Sequence, residues 1–115
     1  MSTNSYPLLF SSAMLNDTAG AIYSVPSTPV TATLQDLTVK LTNVTVATCT
    51  ASLWSVNVGD VASNTNAVVL DISIPAKDFV LVPVERMPAE SSLSALASAI
   101  DSVTIQAISG KIHNI

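Results

Sequence analysis

The chain has 115 residues and a net charge of −4, from four basic and eight acidic side chains. That length implies one domain with a single core, with a folded surface of roughly 6,000 Å² on mass scaling. The basic residues Lys40, Lys77, Arg86 and Lys111 are scattered, which excludes the clustered cations that nucleic-acid phosphates require.

Sixteen Ser and twelve Thr make the surface polar without making it ionic. So few charges hold neighbours off weakly, which suits a protein in contact with others. A lone cysteine, Cys49, cannot form an internal disulfide, so nothing calls for an oxidising compartment. No basic start leads into an apolar run, and no apolar stretch approaches the length of a membrane span. The expectation is a chain made in a cytosol and soluble there. Asn16-Asp17-Thr18 and Asn43-Val44-Thr45 match the glycosylation pattern, and without a secretory signal both read as chance.

Residues 1–18, MSTNSYPLLFSSAMLNDT, show neither helical nor strand period. Their apolar triplet Leu8-Leu9-Phe10 makes them an extended N-terminal arm, docked on its own sheet or reaching a neighbouring subunit. In the second case, removing 1–18 would leave the fold intact and abolish assembly.

From residue 19 to 115 the signal is β. Ala19–Val25 is a short strand ending at the Pro26–Pro29 turn. Thr31–Asn43 alternates in its second half, with Leu37, Val39 and Leu41 on one face. Leu34 is out of step, which predicts a bulge near Gln35-Asp36. Thr48–Val58 switches parity, from Cys49, Ala51 and Leu53 to Trp54, Val56 and Val58. A polar loop, Gly59–Asn66, precedes a clean alternation over Ala67–Ile74, with Val68, Leu70, Ile72 and Ile74 on one face. Pro75–Asp78 is a tight connection into a strand over Phe79–Val84. Ala89–Ile100 fits a helix through Leu93, Leu96, Ala97 and Ile100 after Pro88, and also a short strand with a preceding turn, whose apolar residues alternate with serines apart from Leu96; the neighbouring strands favour the strand. Ser102–Ile112 is the last strand. Seven to eight short strands with regular turns make the chain all-β, an antiparallel sandwich or jelly roll.

Reactive side chains are sparse. His113 is the only histidine, and no Ser sits in a Gly-x-Ser-x-Gly setting, so it reads as a surface or interface residue. Cys49 has no basic neighbour in sequence and reads as a buried, inert thiol; one Cys and one His cannot close a zinc site. The carboxylates Asp17, Asp36, Asp60, Asp71, Asp78, Glu85, Glu90 and Asp101 fall singly, mostly at turns, where Asp bonds locally. A sugar-binding module would stack its ligand on Trp54 or Tyr23, whereas the ordinary role of a lone strand Trp is to anchor the core. Asn57–Asn66 offers Asp60 and its asparagines to Ca²⁺ but lacks a calcium loop's acidic density. No catalytic, cofactor-binding or metal-ligating set emerges, and the expectation is a non-enzyme. Glu85-Arg86-Met87 interrupts an apolar region and, with Leu8, Leu9 and Phe10, is the expected contact with partner subunits.

Several segments carry a resemblance in their order. They are Tyr23–Pro26, Leu53-Trp54, Ile74–Pro83, Ser94–Ser98 and the closing Val103–Ile112 (VTIQAISGKI). Over residues 20–112 the chain resembles the small β-sandwich virion proteins of tailed bacteriophages, including capsid decoration (cement) proteins and tail-associated accessory proteins. The resemblance implies a structural protein, a homo-oligomer without cofactor, membrane, nucleic-acid or small-molecule partner. Such a protein bridges capsid subunits on the outer shell, or stands at the neck or tail. A carbohydrate- or host-binding module is the reading from another class.

Overall fold

A computed structural model describes residues 4–7, 12–25, 33–88 and 90–114. Nine strands and no helix occur among them: β1 (Asn4–Pro7), β2 (Ala13–Met14), β3 (Gly20–Ser24), β4 (Thr33–Asn43), β5 (Cys49–Val56), β6 (Ala67–Ile74), β7 (Phe79–Met87), β8 (Ser92–Ala97) and β9 (Val103–Asn114).

The pairing is nested. Strand β5 pairs β6, β4 pairs β7, β3 pairs β8 and β2 pairs β9, all antiparallel. The chain is thus one long hairpin, rolled so that β9 also meets β4 and β8 also meets β5. Two sheets result: sheet A, with β9, β4 and β7 in that order and both β1 and β2 on the free side of β9, and sheet B, ordered β3-β8-β5-β6. This is a jelly roll, an arrangement that leaves few strand edges by stacking two sheets. The structure docks the first segment on the chain's own sheet, because β1 and β2 both pair with β9.

Alternation places the core between the sheets. Leu37, Val39 and Leu41 of β4 and Val103 and Ile105 of β9 are fully buried, facing Ala51 and Leu53 of β5 and Leu93 of β8. Each buried leucine contributes about 1.5–3 kcal/mol of transfer free energy. The predicted bulge in β4 is present. Register shifts between Leu34 and Leu37, where Asp36 has φ 56°, and the extra residue returns Leu34 to the core side, fully buried.

Two expected patterns are corrected. The alternation of β6 breaks at Asp71, with φ 50°, which turns Leu70 outward to 47% exposure. The Ser52 hydroxyl accepts the Asp71 N–H at 2.8 Å inside that bulge. Trp54 does not anchor the core. It pairs with Ser94, between the inward Leu93 and Ala95, and so lies on the outer side of sheet B, buried at 8% exposure. The ambiguous 89–100 segment is the strand β8, preceded by a turn in which the Ser91 hydroxyl donates to the Pro88 carbonyl at 2.6 Å. Leu93, Ala95 and Ala97 face inward against β5, and Leu96, which mimics a helical spacing, is on the other side.

Candidate interaction surface

The outer side of sheet A is built by the residues that alternate with the core. Rows read from the register run across the strands. Phe79, Thr42, Thr104 and Met14 form one row over β7, β4, β9 and β2. Leu81, Lys40 and Gln106 form the next, and Pro83, Thr38 and Ser109 the third, beside Ile108. Phe79, Leu81, Met14 and Ile108 are each between 42% and 51% exposed. The Lys40 ammonium lies over the Phe79 ring, 4.5 Å from its centroid. None of these residues is acidic, in a protein of net charge −4. A surface of hydroxyls, exposed apolar side chains and one cation suits contact with another protein.

One end of the sandwich is tied by backbone and side-chain bonds between its turns. Asn43 is fully buried and uses all its amide capacity. Its Nδ2 donates to the carbonyls of Ala47 (2.7 Å) and Ile74 (3.0 Å), and its Oδ1 accepts from the Thr45 N–H (2.9 Å) and hydroxyl (2.7 Å). Val44 N–H donates to Ser102, and Lys77 donates its N–H to Thr45 and its ammonium to Val44. Three turns are thereby locked together, presenting Val44, Val46 and Ile100 to solvent.

The chemistry-bearing residues do not assemble into a reactive centre. Cys49 is buried, as expected. It belongs to the core cluster, yet hydroxyl groups as well as apolar side chains surround its thiol. The Thr45 hydroxyl, 3.6 Å from Sγ, holds the thiol below its ordinary value against the effect of burial, helped by Ser102, Ser98 and Asn43. The acidic residues act on the backbone: Asp36, Asp71, Glu90 and Asp101 all adopt left-handed φ between 50° and 65°. Asp36 also pairs with Lys111 at 3.4 Å, both well exposed, so the pair contributes little. Residues 57–66 close on themselves through Asn66, which donates to Val61 and accepts from Ser63. No group of His, Cys, Asp and Glu able to hold a metal occurs among the described residues. Trp54 is buried and Tyr23 packs half-buried against the core, so neither offers a sugar an open platform.

Of the expected contact residues, Arg86 is exposed near the end of β7, and Glu85 beside it pairs its backbone with Leu37. Met87 is fully buried in the chain's own core, so its side chain is not on the surface. Leu8, Leu9 and Phe10 lie outside the described residues, and His113 enters the sheet by pairing its backbone with Ser5 and Thr33. Sequence reading missed the Phe79–Leu81–Lys40 surface. Its signal was Phe79–Val84 (FVLVPV), apolar on both parities, so that one sheet face had to receive apolar side chains whichever way it turned.

No protein-family model matches the chain, and no curated protein matches it in sequence. Among solved structures, a chain in the structure of infectious bursal disease virus Gx strain matches with a TM-score of 0.50 and 17% identity, over 96% of this chain and 31% of that one. The likeness is one of fold. Two further matches are a chain in the structure of the Gt strain (TM-score 0.46, 11% identity, 96% and 31% covered) and the crystal structure of the infectious bursal disease virus VP2 subviral particle (TM-score 0.39, 13% identity, 96% and 32% covered). The chain spans about a third of the length of the chains it matches.

Proposed function

We propose that this protein is a structural component of a virus particle and, within that class, a decoration (cement) protein that bridges shell subunits from the outside, as in tailed bacteriophages. The observation that carries the reading is the fold: a nested jelly roll whose likeness in a virus structure extends over 96% of the chain. The outer side of sheet A supports it, since apolar and hydroxylic rows without an acidic side chain suit packing against neighbouring proteins. Each such contact can be weak when many copies act together on a lattice. The partners are the major shell protein and further copies of this chain, and the role needs neither catalysis nor a cofactor. A place at the neck or tail differs only in copy number.

The test is quantitative mass spectrometry of purified particles against their major shell protein. Hundreds of copies place the protein on the shell lattice, and about a dozen move it to the neck or tail. Absence from particles overturns the reading.

A further inference from the structure

The first segment of the chain is attached to the body in an unusual way. Among the described residues, strands β1 and β2 pair with β9 and with no other strand. Pro7 pairs with Lys111 and Ala13 with Ile105, so the two pairs lie six positions apart on either strand and both pairings keep one register. Directly after β2, Leu15 is fully buried, and its N–H donates to the Val103 carbonyl of β9 at 2.8 Å. Residues 16–20 are then all exposed, ending on Gly20, around which a Cβ would meet nothing within 4 Å. The chain first bonds the opposite sheet within this run, where the Asn16 carbonyl accepts from Ala97.

We propose that residues 4–15 are an exchangeable arm, which leaves β9 of its own chain and takes the same place on β9 of a second copy. The arm brings its own register, its own anchor in Leu15 and a solvated connector, so the closed and exchanged forms contain the same bonds. An element of this kind swaps at little cost, because the partner copy supplies an identical site. The connector is the natural hinge: Asp17, Thr18 and Ala19 are exposed between Asn16, which bonds Ala97, and Gly20, which pairs with Ala95, so the chain can be redirected there once the single Asn16–Ala97 bond opens. The free side of β9 accepts one arm only, so each copy gives one and receives one. The inference concerns the purified protein and does not depend on a place in a virus particle.

Ser5 and His113 are register partners, and paired antiparallel positions lie within disulfide reach. The experiment therefore uses two variants in a Cys49→Ser background, Ser5→Cys and His113→Cys. They are unfolded together, refolded at a series of concentrations and oxidised. Exchange yields a covalent adduct between one chain of each kind, in roughly half the dimers on statistical grounds, with a yield that rises with concentration. A chain carrying both substitutions serves as the reference. If it closes within itself while the mixture gives no adduct at any concentration, the arm stays at home and the proposal fails. If neither sample forms a disulfide, the arm does not lie on β9, and the proposal fails as well.

Discussion

Asn43 shows how much one polar side chain can organise. It ends β4, is wholly buried, and spends two donors and two acceptor sites on the turn through Thr45 and Ala47 and on the end of β6 at Ile74. Asn43→Ala leaves the Ile74 carbonyl without its buried partner, and a cost of about 2–3 kcal/mol is expected from orphaned groups of this kind. Asn43→Asp should cost more at neutral pH, because a carboxylate would face two carbonyls. Urea unfolding, read as a shift of midpoint at constant slope, checks both. The same burial means that the Asn43-Val44-Thr45 sequence motif has no accessible acceptor nitrogen in the folded protein. At Glu90 the backbone itself is the issue. A left-handed φ of 65° disfavours any side chain with a Cβ. Glu90→Gly should therefore raise stability by about 0.5–1 kcal/mol, visible as a higher thermal midpoint.

At the scale of elements, β7 carries two duties on one strand. Val82 and Val84 belong to the core, while Phe79 and Leu81 stand on the outer side of sheet A. Replacing both with serine should cost about 2–3 kcal/mol, since each is half buried and Phe79 also loses its cation–π contact, less than the loss of two core leucines. It should lower occupancy in particles, measured by mass spectrometry of the same preparation, if that surface makes the contact. The strands from β3 to β7 and β9 were legible from alternation, including the β4 bulge that Leu34 betrays by falling out of step, whereas β1 and β2 lie in a stretch without a period and β8 also fits a helical spacing. What alternation could not report was the bulge at Asp71, because Leu70, Ile72 and Ile74 keep a perfect period in the sequence while the backbone inserts a residue between them. Nor could it place Trp54. The parity change after Leu53 was real as a pattern, but β5 keeps an unbroken register with β8, so the tryptophan faces outward from the core. Contact residues were harder still. Met87 looks like an interface residue beside Glu85 and Arg86, yet a compensating register shift brings it into the core.

For the whole molecule, the pairing of the first segment alters the expected effect of deleting it. Removal of residues 1–18 takes away Leu15 from the core and strips the outer edge of β9. Loss of a buried leucine side chain alone costs about 2–5 kcal/mol, and a bare strand edge is a template for aggregation. The truncated chain should therefore unfold earlier in urea and associate in size-exclusion chromatography, rather than remain an intact sandwich. A shorter truncation, before residue 12, keeps Leu15 and β2 and should retain most of the stability.

The nesting of the strands also has a meaning in time. Only β5 and β6 are close neighbours along the chain, and every further pair closes a longer loop, until β2 finds β9 across nearly the full sequence. Loop-closure entropy grows with each step, and topologies dominated by distant pairings fold in milliseconds to seconds rather than microseconds. During synthesis the early strands leave the ribosome before their partners exist, and β4 waits for both β7 and β9. Until residues 103–114 emerge, one edge of β4 and the strands β1 and β2 have no partner strand, while the inner side of β4 can already pack against β5 and β8. The nascent chain is therefore most exposed to chaperones and to wrong pairings along that edge just before β9 is made.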